Sequence, residues 1–268
     1  MRSRRLSVLS FSGRSSERLS GQRWPSASWS VLLGLPVLLG LSGCLQEVDK
    51  PKYSADYDTA AMALDVTWLI DYDEGRATTQ QQMIVQMAAD GQSLVLSDGE
   101  VWNYKSSMSD TWKPLKEFRV GNQRSYQANW NGAVTDAVTV RFTRHSGEEY
   151  EKRVSRPEAI EGVIPNDNDR TRVTVSFNEG HALKAQSLYR CTFGIKETRW
   201  VKPPKVLSKE DSLYRVPFDS AWQNEHNECW VTVSLQRESG VTKPSGFADG
   251  RVQSVLQHTL APIMLFSR

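Results

Sequence analysis

The chain has 268 residues, with 33 basic and 31 acidic side chains and 39% hydrophobic residues. That composition excludes a wholly disordered polymer, and 17 Gly and 11 Pro without a repeat exclude a collagen-like one. The net charge of +2 is unevenly spread. Residues 1–43 carry six Arg against one acid, Glu17, which leaves 27 basic and 30 acidic residues, a balance of −3, for 44–268. With the basic surplus confined to the first segment, nucleic-acid binding loses its electrostatic drive, and none is expected.

Residues 1–27 are polar and Arg-rich and lead into an apolar stretch, Val31 to Leu41. As helix it would span about 16 Å, too short for a bilayer core of about 30 Å. A basic flank, a short apolar core and small residues after it are the parts of a secretory signal, so 1–43 is expected to be a signal peptide. The stretch closes on Leu41-Ser42-Gly43-Cys44, which resembles the lipobox of bacterial lipoproteins. The resemblance implies cleavage before Cys44, a diacylglyceryl group on its thiol and acylation of the new amino terminus. The region before the apolar core is longer than in that family, and Ser3-Arg4-Arg5 lies too far upstream to act as a twin-arginine signal. Three acyl chains, at about 0.8 kcal/mol per buried CH₂, exceed the two-signal threshold for stable membrane residence. Leu45 follows the cysteine where inner-membrane retention would place Asp. The same resemblance therefore implies the outer membrane, facing the periplasm.

Residues 44–57 offer little to bury and read as a lipidated tether. Period-two alternation dominates after that. Val66, Trp68 and Ile70 share one face, with Asp65, Thr67 and Asp71 opposite. Segment 80–89 reads as a strand, with a short helix as the alternative because Met83 and Met87 are four apart and Gly91 follows. Leu94 and Leu96 precede Asp98-Gly99, a favoured hairpin turn, and Val101–Tyr104 follows. Phe118–Val120 and Tyr126–Trp130 are shorter strand candidates. Val138, Val140 and Phe142 alternate with polar residues before a turn at His145–Glu148.

Arg156-Pro157 and Pro165–Asp169 interrupt the pattern. Beyond them, Val173, Val175 and Phe177 form one apolar set, and Tyr189, Cys191, Phe193 and Ile195 a second. Cys229, Val231, Val233 and Leu235 form a third, with Trp230 turned out. A last strand is expected within 251–266, bent or ended at Pro262. Many short strands with polar turns predict an all-β chain. The reading is two tandem immunoglobulin-like or fibronectin-like β-sandwiches, 58–156 and 157–268, with one large β-domain as the alternative.

Cys191 and Cys229 sit on the apolar parity of their strands, and the periplasm is oxidising. Their spacing of 38 fits no zinc or redox pattern, so a structural disulfide is expected, contributing about 4 kcal/mol by loop entropy. His226 lies near Cys229, but two ligands are too few for a metal site. The polar loop Asn166-Asp167-Asn168-Asp169 carries oxygen ligands of the kind Ca²⁺ takes, and equally suits an ordinary turn. Asp71–Gly75 looks like half of an EF-hand loop with its glycine one place early, and reads as a turn. Neither a G-x-S-x-G nor an H-E-x-x-H motif occurs, and His145, His181, His226 and His258 lie in separate segments. No catalytic residue and no cofactor are assigned. Seven Trp follow Cys44; Trp68 has core parity, while Trp112, Trp200 and Trp222 lie in loop-like sequence.

The functional expectation is a lipid-anchored, non-enzymatic envelope protein that binds or scaffolds a protein partner through sheet edges and loops. The alternatives are a ligand-binding lipoprotein, for envelope glycan on a Trp platform or Ca²⁺ at 166–169, and a cryptic hydrolase.

Overall fold

The computed structural model describes residues 51–166, 173–178 and 183–267. Cys44, Asp167, Asn168, Asp169 and His181 lie outside the described residues.

Nearly all of the regular structure in the described chain is strand. β1 (Lys52–Tyr53) is followed by two 3₁₀ turns, Ser54–Asp56 and Thr59–Ala61. β2 (Ala63–Asp73), β3 (Thr78–Ala89), β4 (Gln92–Val95), β5 (Val101–Ser106) and β6 (Lys113–Pro114) come next. β7 (Lys116–Val120), β8 (Gln123–Asn131), β9 (Ala137–Thr143) and β10 (Glu149–Ser155) complete the first half. The second half holds β11 (Ile164–Asn166), β12 (Thr174–Ser176), β13 (Leu183–Phe193), β14 (Lys196–Val201), β15 (Lys205–Val206) and β16 (Leu213–Arg215). After a single helical turn, α1 (Trp222–Glu225), come β17 (Glu228–Glu238), β18 (Asp249–Thr259) and β19 (Ile263–Ser267).

One twelve-stranded sheet runs β1-β4-β3-β2-β18-β17-β13-β14 along its main path. β8 extends it from β3, with β7 beyond, while β15 joins β13 and β19 joins β17. Two small sheets, β10-β9-β5-β6 and β11-β12-β16, stand apart from it. Alternation explains how they pack. Leu64, Val66, Trp68 and Ile70 of β2 and Met83, Val85 and Met87 of β3 are buried, in one cluster with Trp102, Val138, Val140 and Phe142 of the first small sheet. Tyr189, Cys191, Val231, Val233 and Leu235 of the large sheet are buried with Val175 and Tyr214 of the second. The result is a β-sandwich architecture with two cores under one long sheet.

The junction between the cores is a pair of parallel strands. β2 and β18 run side by side for eleven residues, from Ala63↔Asp249 to Asp73↔Thr259. Phe247 and Val252 belong to the first core although they lie far beyond residue 156, and Leu256 packs against both. The first core thus draws residues from both sides of residue 156, and the large sheet is continuous across it. Gly250 sits at this junction with φ +124°, and a Cβ there would collide with the backbone of Leu64. A side chain at 250 would force the two strands apart.

One local expectation holds and three need correction. Segment 80–89 is strand, because Met83, Val85 and Met87 are all buried, so the spacing of four is twice a period of two. Asp98-Gly99 does turn the chain, with Gly99 at φ +84°, but makes no hairpin: β4 belongs to the large sheet and β5 to a small one. Phe193 and Ile195 do not continue the buried set. β13 ends at Phe193, and both side chains lie in solvent beyond the rim of the core. The last strand is two strands, β18 and β19, separated at Leu260-Ala261-Pro262.

The expected tether is also shorter than 44–57. Lys52 and Tyr53 pair in parallel with Leu94 and Val95, and Ser54 is fully buried. The Ser54 hydroxyl donates to the Glu100 carboxylate, which also accepts from the Ser97 N–H at 3.1 Å. Arg144 donates to the carbonyls of Tyr57 (3.0 Å) and Ser54 (3.1 Å). Hydrogen bonds to backbone and to a buried carboxylate hold this segment, which is why its polar composition gave no sign of it.

Candidate binding surfaces

Cys191 and Cys229 form a disulfide. They are directly opposed across β13 and β17, with Cα atoms 4.0 Å apart, and both are fully buried. Cys229 is therefore not available as a metal ligand beside His226. The His226 ring lies instead 6.0 Å from that of Trp200.

Beyond the disulfide, β13 leads into an exposed hairpin of the large sheet. Gly194, at φ +59°, is followed by Ile195, the residue order of a type II′ turn, and Phe193 pairs with Lys196. Every residue of β14 is exposed except Trp200, which is half-buried. Ile195 is fully exposed, Phe193 is 60% exposed and Val201 47%. Among the described residues β14 pairs with β13 alone, so its other edge has no strand against it. Glu197 and Arg199 lie on the same face of β14 and form an ion pair.

Trp200 faces the opposite way and closes the open end of the second core. It stacks on Tyr189 with centroids 5.4 Å apart and meets Trp222 edge-on at 5.1 Å. Phe218 packs on Trp222 and Phe266, and the Lys202 ammonium lies 5.6 Å from the Trp222 ring. The Tyr189 hydroxyl donates to the Pro217 carbonyl. Burial pushes its phenol well above the ordinary range. Trp200 is thus a strand residue and Trp222 a helical one, where sequence suggested loops.

The other tryptophans are engaged too. Trp68 and Trp102 are core, the latter stacked on Phe142. Trp130 stacks on Tyr104 at 4.8 Å. Trp112 lies between Lys105 (4.6 Å) and Arg141 (4.0 Å), and Arg141 is itself paired with Glu149 and Glu151. Trp230 donates its indole N–H to Glu228. Among the described residues Trp68 and Trp102 are buried and the other five Trp are half-buried.

The outer face of the large sheet is rich in amides. Gln80, Gln82 and Gln86 of β3 lie opposite Asp71, Leu69 and Asp65 of β2, which in turn neighbour Gln257, Val255 and Arg251 of β18. Gln82 donates to Gln127 at 3.0 Å.

Of the polar loop 166–169, Asn166 is the last residue of β11 and pairs with Thr174; its three neighbours lie outside the described residues. Among the described residues no group of three or more His, Cys, Asp and Glu could hold a metal ion. Asp71–Gly75 is the end of β2 and the turn after it, where Glu74 reaches His258 Nε2 at 2.6 Å and Arg76 reaches Asp73 at 3.3 Å. His145 is exposed in the β9–β10 turn. A cavity of about 60 Å³ lies beside Tyr104 and Trp130. That is below the about 300–1,000 Å³ usual for small-molecule sites, while an open depression of about 400 Å³ lies at Ala77, Thr78, Thr79, Asn131, Gly132 and Ala133.

No family model matches this chain, and no curated protein matches it. Among solved structures it is similar to a chain of a "Cytokine receptor complex – Crystal form 1A", 11% identical, covering 76% of this chain and 95% of that one, with a TM-score of 0.26. A second, from the "Cytokine receptor complex – Crystal form 2", is 12% identical over 71% and 97%, with a TM-score of 0.25. Scores this low carry no argument about fold or function.

Proposed function

We propose that this chain is a lipid-anchored envelope protein, held by lipid on Cys44 at the periplasmic face of the outer membrane, that binds a protein partner without catalysing a reaction. The observation that carries the binding reading is the β13–β14 hairpin. It sets Phe193, Ile195 and Val201 in solvent beside a strand edge with no neighbour among the described residues. Such an edge offers main-chain hydrogen bonds for affinity and alternate side chains for selectivity, the terms of β-strand addition. The disulfide at Cys191, two residue pairs from the Phe193–Lys196 pair, and the aromatic cluster behind Trp200 fix the hairpin's base, so little ordering is lost on binding.

The lipid supplies position, and the segment before Lys52 supplies reach. Confinement to a membrane raises the effective concentration of any partner in the same leaflet. The test is in-cell crosslinking of the tagged full chain from a photoreactive residue at Ile195, followed by mass spectrometry. A discrete protein adduct that disappears when the crosslinker is moved to exposed Gly121 supports the reading. Equal capture from both positions, or from neither, rejects it.

A further inference from the structure

The sequence of the exposed edge is complementary to itself, and from this we infer that the partner of β14 is β14 of a second copy of this chain. The inference rests on the edge-binding reading above and names its occupant. Residues 195–201 read Ile-Lys-Glu-Thr-Arg-Trp-Val. When two such strands run antiparallel about a twofold axis at Thr198, Glu197 stands opposite Arg199 of the second copy. Lys196 stands opposite Trp200, and Ile195 opposite Val201. Each pair occurs twice by symmetry. The three pairs are an ion pair, a cation beside an indole and an apolar contact, all favourable across an antiparallel ladder.

The register is specified by charge. The smallest slip that keeps each side chain on its own face is two residues. In one direction that slip places Glu197 against Glu197, and in the other Arg199 against Arg199. Only the register centred on Thr198 sets opposite charges against each other. The faces agree as well, because Glu197 and Arg199 share one side of β14 and already pair within the chain, so the contact exchanges the internal ion pair of each copy for two between copies. Pro203-Pro204 ends the usable edge on one side and the Gly194 turn ends it on the other. An exposed Lys at position 196 discourages unmatched strands, as charges on sheet edges commonly do, while being matched in this register. The contact is isologous, so assembly through it closes at two copies. A six-residue strand pair is a small interface, suited to copies confined in one membrane more than to dilute solution.

The experiment uses two differently tagged copies of the full chain, co-expressed, with a photoreactive residue at Thr198 of one. The expected adduct contains both tags. Glu197→Arg or Arg199→Glu alone should reduce its yield about tenfold, since each sets like charges against each other twice. The swap Glu197→Arg with Arg199→Glu should restore it. Co-purification of the two tags from solubilised membranes, without the crosslinker, should follow the same order. A two-tag adduct indifferent to the single reversals, or one that the swap fails to restore, overturns the register and with it the inference. An adduct with a different protein in place of the second tag overturns self-pairing and leaves the edge-binding reading standing. Absence of any adduct at Thr198 overturns both.

Discussion

Arg144 and Glu100 form a buried ion pair, Nε to Oε1 at 3.4 Å, that joins the start of the folded chain to the first core. Neither group is spare. Glu100 takes the Ser54 hydroxyl and the Ser97 N–H, while Arg144 spends its other nitrogens on the carbonyls of Ser54 and Tyr57. The first folded residues are therefore clamped, to β4 through β1 and to the end of β9 through Arg144.

Arg144→Met would leave Glu100 buried without its counter-charge and two carbonyls without donors. Breaking a buried pair in this way costs about 3–5 kcal/mol. Urea unfolding of the variant should show a loss of that size, and limited proteolysis should gain a cut within 52–61. Glu100→Gln keeps an acceptor for Ser54 and Ser97 and should lose less. A variant Arg144→Met as stable and as resistant as the parent would show that the clamp contributes nothing.

Gly250 tests the shared sheet. Gly250→Ala combines an unfavourable φ with a clash against the Leu64 backbone, and the two together should cost about 2–4 kcal/mol. Gly147 has a similar sign of φ, +86°, but open space around it. Gly147→Ala should therefore lose only the conformational part, about 1 kcal/mol. Thermal unfolding of the pair measures the difference; equal losses would mean that the β2–β18 approach tolerates a side chain.

What the sequence made legible is whatever local alternation encodes. The buried sets on β2, β9 and β17 follow from parity alone, and Cys191 and Cys229 each hold the apolar parity of their own strand. Three things were hidden for physical reasons. Parallel pairing of β2 with β18 joins residues about 186 apart and leaves no local mark. Whether Asp98-Gly99 closes a hairpin depends on which sheet the next strand joins, which its own residues do not state. Phe193 and Ile195 have the parity of buried residues, yet parity cannot say where the core's rim lies. The self-complementary order of Ile195–Val201 was present in the sequence all along, but becomes meaningful only once β14 is known to be an edge.

The disulfide gives a third prediction. Cys191→Ser should leave one reactive thiol at Cys229 and reduce stability by about 4 kcal/mol in the loop-entropy account, less if the unfolded chain retains structure. Maleimide labelling of the parent under unfolding, non-reducing conditions should find neither cysteine reactive. Full labelling there would contradict the bond. Because Thr198 lies opposite Cys191, loss of the bond should also loosen β14 and weaken the capture of a second copy.

Asp71 carries a pH dependence whose sign can be worked out. Burial raises its pKa first, and the neighbouring Asp73 carboxylate raises it further, against smaller opposing contributions from hydrogen bonds of Thr259 and Gln257. An acid with a folded pKa above its unfolded one holds its proton more tightly in the folded state. Its ionised form therefore opposes folding fully above the folded pKa. That opposition shrinks as pH falls through the folded pKa and is gone below the unfolded one. Asp71→Asn removes the charge but keeps an oxygen to accept from Gln257 (3.3 Å) and Thr259 (3.4 Å). The variant should melt higher than the parent at pH 7, and the gap should close as pH is lowered through the carboxylate range. Melting curves of both proteins across that range decide the point. A variant less stable at pH 7, or a gap that stays constant with pH, would mean that the Asp71 charge is stabilised by its neighbours and does not oppose folding.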